Sequence, residues 1–364
     1  MNLELTDEQV ALRDTVRSFL AEKASIPGHV RPLLEDETGM TDQVWRGLAD
    51  LGATGLLVPP ECDGAGMTMV EAGIVAEELG ARLHPGPWLS SAVASTRALS
   101  RFGVDSSLAA RWLTGIADGS TIVTVGPLDG VRPSVVERGD DVVLCGQIGA
   151  VPDVAAADLL LVLADDSSGT GLFAVHTAGI DVTPRPGIDP TRKQFDVRLE
   201  DTPAQRLATA TPDAVEALID DVIIARAADA LGAARAILDL VVDYAKVRRQ
   251  FGQPIGAFQA VQHLCVDMYE SVELARSGVI HALWAADAAD RAERHSAALR
   301  AKGFAGQLAA VADTAIQVFG GIGYTWEHDA HLYLKRLLGW SVFLGGPDGY
   351  LVQLGAEFAE SINR

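Results

Sequence analysis

The sequence predicts an α+β protein in which a helical N-terminal region, a small β-rich middle and a helical C-terminal region follow one another. Three observations carry this. The chain of 364 residues exceeds what one hydrophobic core usually organises. Ala- and Leu-rich stretches with helical periodicity run to about residue 120 and resume at about 210. Between them lie short runs of β-branched and aromatic residues separated by turn signals. Domain boundaries are accordingly expected at 1–120, 121–209 and 210–364.

The N-terminal region opens with an amphipathic helix over 6–23. Thr6 and Gln9 form a capping box, and Leu12, Val16, Phe19 and Leu20 share one face. A second helix is expected over 41–52. The Pro/Gly-rich run from Gly55 to Gly66 is a turn region, followed by a helix through Val75–Gly80; Pro85, Pro87 and Trp88 interrupt before further helices to about Ala117.

In the middle region the expected strands cover Thr121–Val125, Val135–Glu137, Val142–Cys145, Leu159–Leu163 and Leu172–Val175, with Phe195, Val197 and Leu199 alternating in a further one. Gly139-Asp-Asp reads as a hairpin turn. After Thr211 the chain is helical to its end. Leu218, Val222, Ala225 and Ala228 begin one apolar stripe, and Phe304, Leu308, Val311, Ala315 and Val318 form another at +4, +3, +4, +3.

Composition narrows the function classes. Against 29 basic residues stand 49 acidic ones, for a net charge of −20, which argues against nucleic acid or an anionic membrane surface as partner. The three cysteines, Cys62, Cys145 and Cys265, have neither metal-ligand nor disulfide spacing and read as small buried hydrophobes. The N-terminus has no signal-peptide pattern and no apolar run approaches the ~18 residues of a membrane span. A cytoplasmic protein is expected.

Two glycine-bearing junctions in the C-terminal region point to a phosphate-bearing ligand. The first is Tyr244-Ala-Lys-Val-Arg-Arg-Gln-Phe-Gly-Gln-Pro-Ile-Gly256. Arg248 and Arg249 offer planar forks of donors that suit pyrophosphate oxygens, and Phe251 adds an apolar face. The second is Ala315-Ile-Gln-Val-Phe-Gly-Gly-Ile-Gly323, where a helix ends near Phe319 and the glycines let backbone approach a ligand closely. Taken singly, each also reads as an ordinary helix end: an arginine cap favoured by the dipole, and a glycine stop.

In residues and order, these two motifs together resemble the acyl-CoA dehydrogenase family, and the likeness extends over essentially the whole chain. Leu57-Val-Pro, Gly64-Ala-Gly66, Ala76-Glu-Glu-Leu-Gly80 and Asp189-Pro-Thr-Arg192 read as family members do at those places. The resemblance implies an N-terminal helical domain, a middle β domain and a C-terminal four-helix bundle. It also implies FAD as cofactor, an acyl-CoA substrate and an electron-transferring flavoprotein as acceptor. Carried over residue by residue, Arg248, Gln250 and Phe251 would contact the adenosine-pyrophosphate half of the cofactor, with Gln317 and Gly321 closing the other side. Arg249 replaces Arg248 if the register is off by one.

Three departures from the family pattern matter as much as the matches. The family's catalytic glutamate stands in a turn near the C-terminus, a position that falls here on Leu344 within Phe343-Leu-Gly-Gly-Pro-Asp-Gly349. Members that carry it on the first long C-terminal helix would have it at Val222, where Asp221 is a neighbour but about 100° away around the helix. Abstracting a proton beside a thioester carbonyl needs a carboxylate held close to that carbon, which leucine and valine do not supply. Third, the β-domain segments that in the family bind the acyl pantetheine and pack on the flavin ring read here Val125-Gly-Pro-Leu-Asp-Gly-Val-Arg-Pro-Ser134 and Gln147-Ile-Gly-Ala-Val-Pro-Asp-Val154, without the polar pattern.

In the family, the arginine and glutamine motifs of one subunit reach the flavin bound mainly by its neighbour. A chain keeping only those residues is expected to serve a homologous partner that supplies the base and the ring pocket, as the non-basic subunit of an α2β2 heterotetramer. The segment Gly323-Tyr-Thr-Trp-Glu-His-Asp-Ala-His-Leu-Tyr333 is similar to chains of actinobacterial steroid side-chain enzymes, which implies a steroid-CoA thioester and a place in lipid metabolism. Two alternatives stay open: a self-sufficient homomeric dehydrogenase using Asp348 or Asp221 as base, and a non-enzymatic scaffold. His263 reads as a structural histidine. His328 and His331 lack a third ligand, so no metal is expected. Trp326, Trp340 and Phe343 are expected as core or interface anchors.

Overall fold

The computed structural model describes residues 4–139, 141–167 and 169–362. Five α-helices come first: α1 (Asp7–Lys23), α2 (Asp42–Asp50), α3 (Met69–Ala81), α4 (Thr96–Arg101) and α5 (Ser106–Ala117). Eight strands follow: β1 (Val123–Gly126), β2 (Ser134–Arg138), β3 (Asp141–Pro152), β4 (Leu159–Asp166), β5 (Gly169–His176), β6 (Asp181–Pro184), β7 (Gln194–Pro203) and β8 (Gln205–Thr209). The long helix α6 (Pro212–Val247) leads through a two-stranded ribbon, β9 (Arg249–Gln250) and β10 (Gln253–Pro254), into α7 (Gln259–Ala288). Then come α8 (Arg291–Ala305), α9 (Ala309–Phe319), α10 (Ala330–Val342) and α11 (Pro347–Ile362). The helical, β, helical order expected from the sequence is the fold. At the first helix the capping box forms as predicted, Thr6 and Gln9 satisfying each other's backbone.

The residues pack into two compact units. One comprises Pro27–Ala72 and Pro85–Val222. Its sheet has the order β6-β7-β3-β2-β4-β5-β8, with β1 added in parallel to β4. β2 and β3 form the expected hairpin with Arg138 opposite Asp141 and Gly139 at φ 65°. Along β7 Phe195, Val197 and Leu199 turn inward while Asp196, Arg198 and Glu200 face solvent. They join Leu144, Ile148, Leu160, Val162 and Phe173 in the core. Two strands escape the sequence reading, β6 and β8. Both are short edge strands, and β8 buries only Leu207, so neither carries the alternating pattern that marks a strand.

The other unit comprises residues 1–26, Gly73–His84 and Ile223–Arg364. Here α3 and α6 approach so closely that a Cβ on Gly80 would lie 1.9 Å from the Asp229 carbonyl oxygen, and one on Gly232 1.8 Å from that of Glu77. Only glycine fits at both places. Buried ion pairs tie the same helices: Arg336 bonds both oxygens of Asp229 at 2.9 and 3.0 Å and the His84 carbonyl at 3.1 Å. Glu78 accepts from Arg17 at 2.8 and 2.9 Å and from Arg235 at 3.0 Å.

The second apolar stripe differs from expectation. Phe304 is 49% exposed and Val318 half-buried. The α-helix stops at Ala305 and a 3-10 turn over Gly306–Leu308 advances the rotation, so the buried stripe becomes Leu308, Val311, Ala312, Ala315, Ile316 and Phe319. Of the cysteines only Cys62 is buried; Cys145 and Cys265 are half-buried, Cys145 donating its thiol to Asp201 at 3.3 Å. His263 is exposed. Among the described residues no helix is long and apolar enough to cross a membrane.

Candidate functional site

The two glycine-bearing junctions, some seventy residues apart in sequence, are neighbours in the fold. α6 delivers Tyr244 and α9 delivers Phe319, whose rings lie 5.1 Å apart, and Phe319 also stacks on His328 at 4.4 Å. This aromatic contact sets the end of α6 beside the end of α9.

Beyond α6 the chain turns sharply. β9 and β10 pair antiparallel, Gln250 opposite Gln253, with Phe251 and Gly252 at the tip. Both tip residues have positive φ, 51° and 84°, as a type I′ hairpin turn demands. A phenylalanine there is strained, and the fold leaves it 92% exposed, resting edge-on against Phe258 at 6.2 Å. The backbone of Ile255 donates to the Arg248 carbonyl at 2.8 Å, closing the hairpin base. Arg248, Arg249 and Gln250 are exposed, and among the described residues neither arginine pairs with a carboxylate. In a chain of net charge −20, two adjacent uncompensated guanidiniums beside an exposed ring form a local anion-attracting spot.

The α9 junction complements it. Gln317 is exposed on the last turn of α9. Gly320 has φ 65° and ψ −142°, a conformation open to glycine alone. Gly321 is different: its φ lies outside the left-handed region and an added Cβ would meet no atom within 4 Å. Nothing inside this chain requires glycine at 321, so the space beside it is free for something outside the chain. The residues that follow are exposed, Tyr324 at 76% and Trp326 at 62%, so Trp326 is not a core anchor within this chain. Trp326 carries the Lys335 ammonium 4.8 Å from its ring centroid and packs on His331. Trp340 is the core anchor expected, buried and donating to the Ala305 carbonyl at 2.9 Å.

The positions read for a catalytic base hold no carboxylate. Leu344 sits at φ 52° in the turn between α10 and α11, its carbonyl accepting the Tyr350 hydroxyl at 2.7 Å. Asp348 is exposed in the first turn of α11. In the other unit Val222 is buried, and Asp221 beside it is fully enclosed. The Asp221 carboxylate is gripped by Arg101 through Nε at 2.5 Å and Nη2 at 2.9 Å, with Arg97 at 3.7 Å. An anion so held is a structural counter-ion.

The β-domain segments also differ from a polar cradle. After Gly126 the run to Ser134 is loop, with Val131 82% exposed. In β3 a register shift falls between Ile148 and Val151, with Ala150 at φ 57°. Asp153, at φ 53°, accepts a hydrogen bond from buried Ser90 at 2.6 Å. That pair is internal to the unit.

This architecture is the acyl-CoA dehydrogenase fold. The chain belongs to the acyl-CoA dehydrogenase family: the family model for the N-terminal domain matches residues 6–120 and that for the C-terminal domain residues 219–358. It is 36% identical over 361 residues to the acyl-CoA dehydrogenase IpdE2 of Mycolicibacterium smegmatis, covering 97% of this chain and 99% of that protein. Among solved structures it resembles the Tcur3481-Tcur3483 steroid ACAD, with 29% identity, a TM-score of 0.88 and coverage of 98% and 99%. It also resembles the ChsE4-ChsE5 complex of Mycobacterium tuberculosis, with 28% identity, a TM-score of 0.89 and coverage of 99% of each chain.

Proposed function

We propose that this chain is the non-basic subunit of a heteromeric, FAD-dependent acyl-CoA dehydrogenase. The observation that carries the reading is Leu344: an apolar side chain at the base position, in a chain that keeps an exposed cofactor-facing cluster. The partner is a homologous chain that brings the carboxylate and the flavin-ring pocket, in an α2β2 assembly. Two solved relatives whose names pair two proteins support this arrangement, and the name of one supports a steroid thioester as substrate. The setting is cytoplasmic lipid catabolism, with an electron-transferring flavoprotein as acceptor.

The residues present fit the cofactor. Arg248 presents a fork of donors to a pyrophosphate, Arg249 reinforces the charge, and Phe251 offers a flat apolar face to the adenosine half. Gln250 and Gln317 add neutral hydrogen bonds, and Gly321 leaves room for close approach. When bound, the flavin supplies the acceptor for the hydride leaving the acyl β-carbon. This chain's part is to hold the far half of that group and exclude water around it.

The test is co-expression of this chain with its candidate partner, against this chain alone, reading visible flavin absorbance per chain after purification. One flavin per two chains, only in the mixture, is the expected result. One flavin per chain from this protein alone, with dye-linked acyl-CoA oxidation lost in Asp348→Asn, would overturn it in favour of a self-sufficient enzyme. A complex whose flavin content is unchanged by Arg248→Ala would leave a scaffold.

A further inference from the structure

α8 carries Lys302 on its buried side, with no exposed surface. The Nζ donates to the carbonyls of Trp340 at 2.6 Å and Ser341 at 3.3 Å, in the last turn of α10. It lies 3.9 Å from the Trp340 ring centroid and 5.9 Å from that of Tyr350. Tyr350 in turn donates its hydroxyl to the Leu344 carbonyl. The amine therefore touches both the helix that enters the Phe343–Gly346 turn and, through Tyr350, the helix that leaves it. On the turn itself, the Arg226 guanidinium covers the Phe343 ring at 4.1 Å.

A buried ammonium normally has a carboxylate. Among the described residues Lys302 has none, and the acids on the surrounding helices are either engaged elsewhere or exposed to solvent. From α6, Arg226 repels it, and Asp229 is held by Arg336 of α10. On α8 itself Glu293 pairs with Arg300 and faces His281 of α7. From α11 come the Tyr350 hydroxyl and exposed Asp348. Burial first, and the like charge of Arg226 second, bring the amine down to about 7.

We infer that Lys302 is the positioning residue that holds the Phe343–Gly346 turn closed, and that uptake of a proton by this buried amine loosens it. In an opened, hydrated turn the amine would regain its ordinary value of 10.5. Opening therefore takes up a proton, becomes easier as pH falls from that value toward 7, and levels off below. Between pH 9 and pH 7 the opening constant rises on the order of tens of fold. The turn in question carries Leu344, so acid loosens the place where base-bearing relatives keep their carboxylate. The inference concerns how this chain holds that turn and does not depend on the partner.

Hydrogen–deuterium exchange by mass spectrometry tests it on the full chain, from pH 6 to 9, with rates corrected for intrinsic exchange. In the wild-type chain, corrected exchange of peptides spanning 341–352 should rise at least tenfold from pH 9 to 7 while α7 peptides stay constant. Lys302→Met should flatten that dependence. Tyr350→Phe should speed exchange at every pH and keep the slope. A flat wild-type profile, or a slope that survives Lys302→Met, overturns the inference. If Lys302→Met does not fold, the wild-type titration decides alone, since a rise with its lower midpoint near 7 is required. A flat profile leaves the subunit reading untouched, because flavin content measures that separately.

Discussion

Arg101 grips the carboxylate of Asp221 with two hydrogen bonds inside the unit that holds the sheet, and Arg97 stands 3.7 Å away. The one acidic side chain next to the alternative base position is thereby consumed as a buried counter-ion. Removing Arg101 takes both short hydrogen bonds from a fully buried carboxylate, at a cost of about 3–5 kcal/mol. Arg101→Ala is expected to lower the unfolding free energy from a urea titration by that much. Asp221→Asn should destabilise too, without changing turnover per folded complex.

Restoring a carboxylate at residue 344 alone is expected to leave this chain inactive. Under the proposed function, Leu344→Glu would supply a carboxylate at the base position but not the flavin-ring pocket, since β3 reads Gln147-Ile-Gly-Ala there. Dye-linked oxidation of acyl-CoA by the isolated variant should stay at background. Asp348→Asn in the complex should likewise leave kcat unchanged.

Gly321 offers a test of the proposed cofactor site that leaves the fold alone. An added side chain meets no atom of this chain within 4 Å, so Gly321→Val should shift stability by no more than about 0.5 kcal/mol. Flavin retention by the complex should nonetheless fall at least tenfold, measured by absorbance after gel filtration. Unchanged flavin content would remove Gly321 from the site. By contrast, Gly232→Ala collides with the Glu77 carbonyl and should cost several kcal/mol without touching that site.

Acid should unfold the unit that contains α1, α7 and α10 partly through Glu78. Burial raises this carboxyl, but the guanidiniums of Arg17 and Arg235 outweigh that and hold it below its ordinary 4.5. A depressed acid stabilises the fold above the unfolded-state value, and the contribution is lost as pH falls from 4.5 through the folded one. Denaturation midpoints between pH 6 and 3 should fall less steeply for Glu78→Gln, which starts lower, than for the wild-type chain.

Much of this protein was legible from local pattern. Capping at Thr6, the alternation of Phe195, Val197 and Leu199, and the hairpin at Gly139 are each set by a few adjacent residues, and each forms as read. That residues 344 and 222 are apolar is likewise read from the sequence, because a residue's identity needs no coordinates. Register and burial are different, since they depend on what lies across the contact. The 3-10 turn at Gly306 moved Phe304 to the surface, and edge strands β6 and β8 gain their structure from a neighbour's hydrogen bonds rather than from their own pattern. Tertiary packing alone brought Tyr244 against Phe319 and so joined the two motifs, closed Arg101 over Asp221, and sealed Lys302 under the α10–α11 turn. Each pairs residues tens of positions or more apart, and no periodicity along the chain records such contacts.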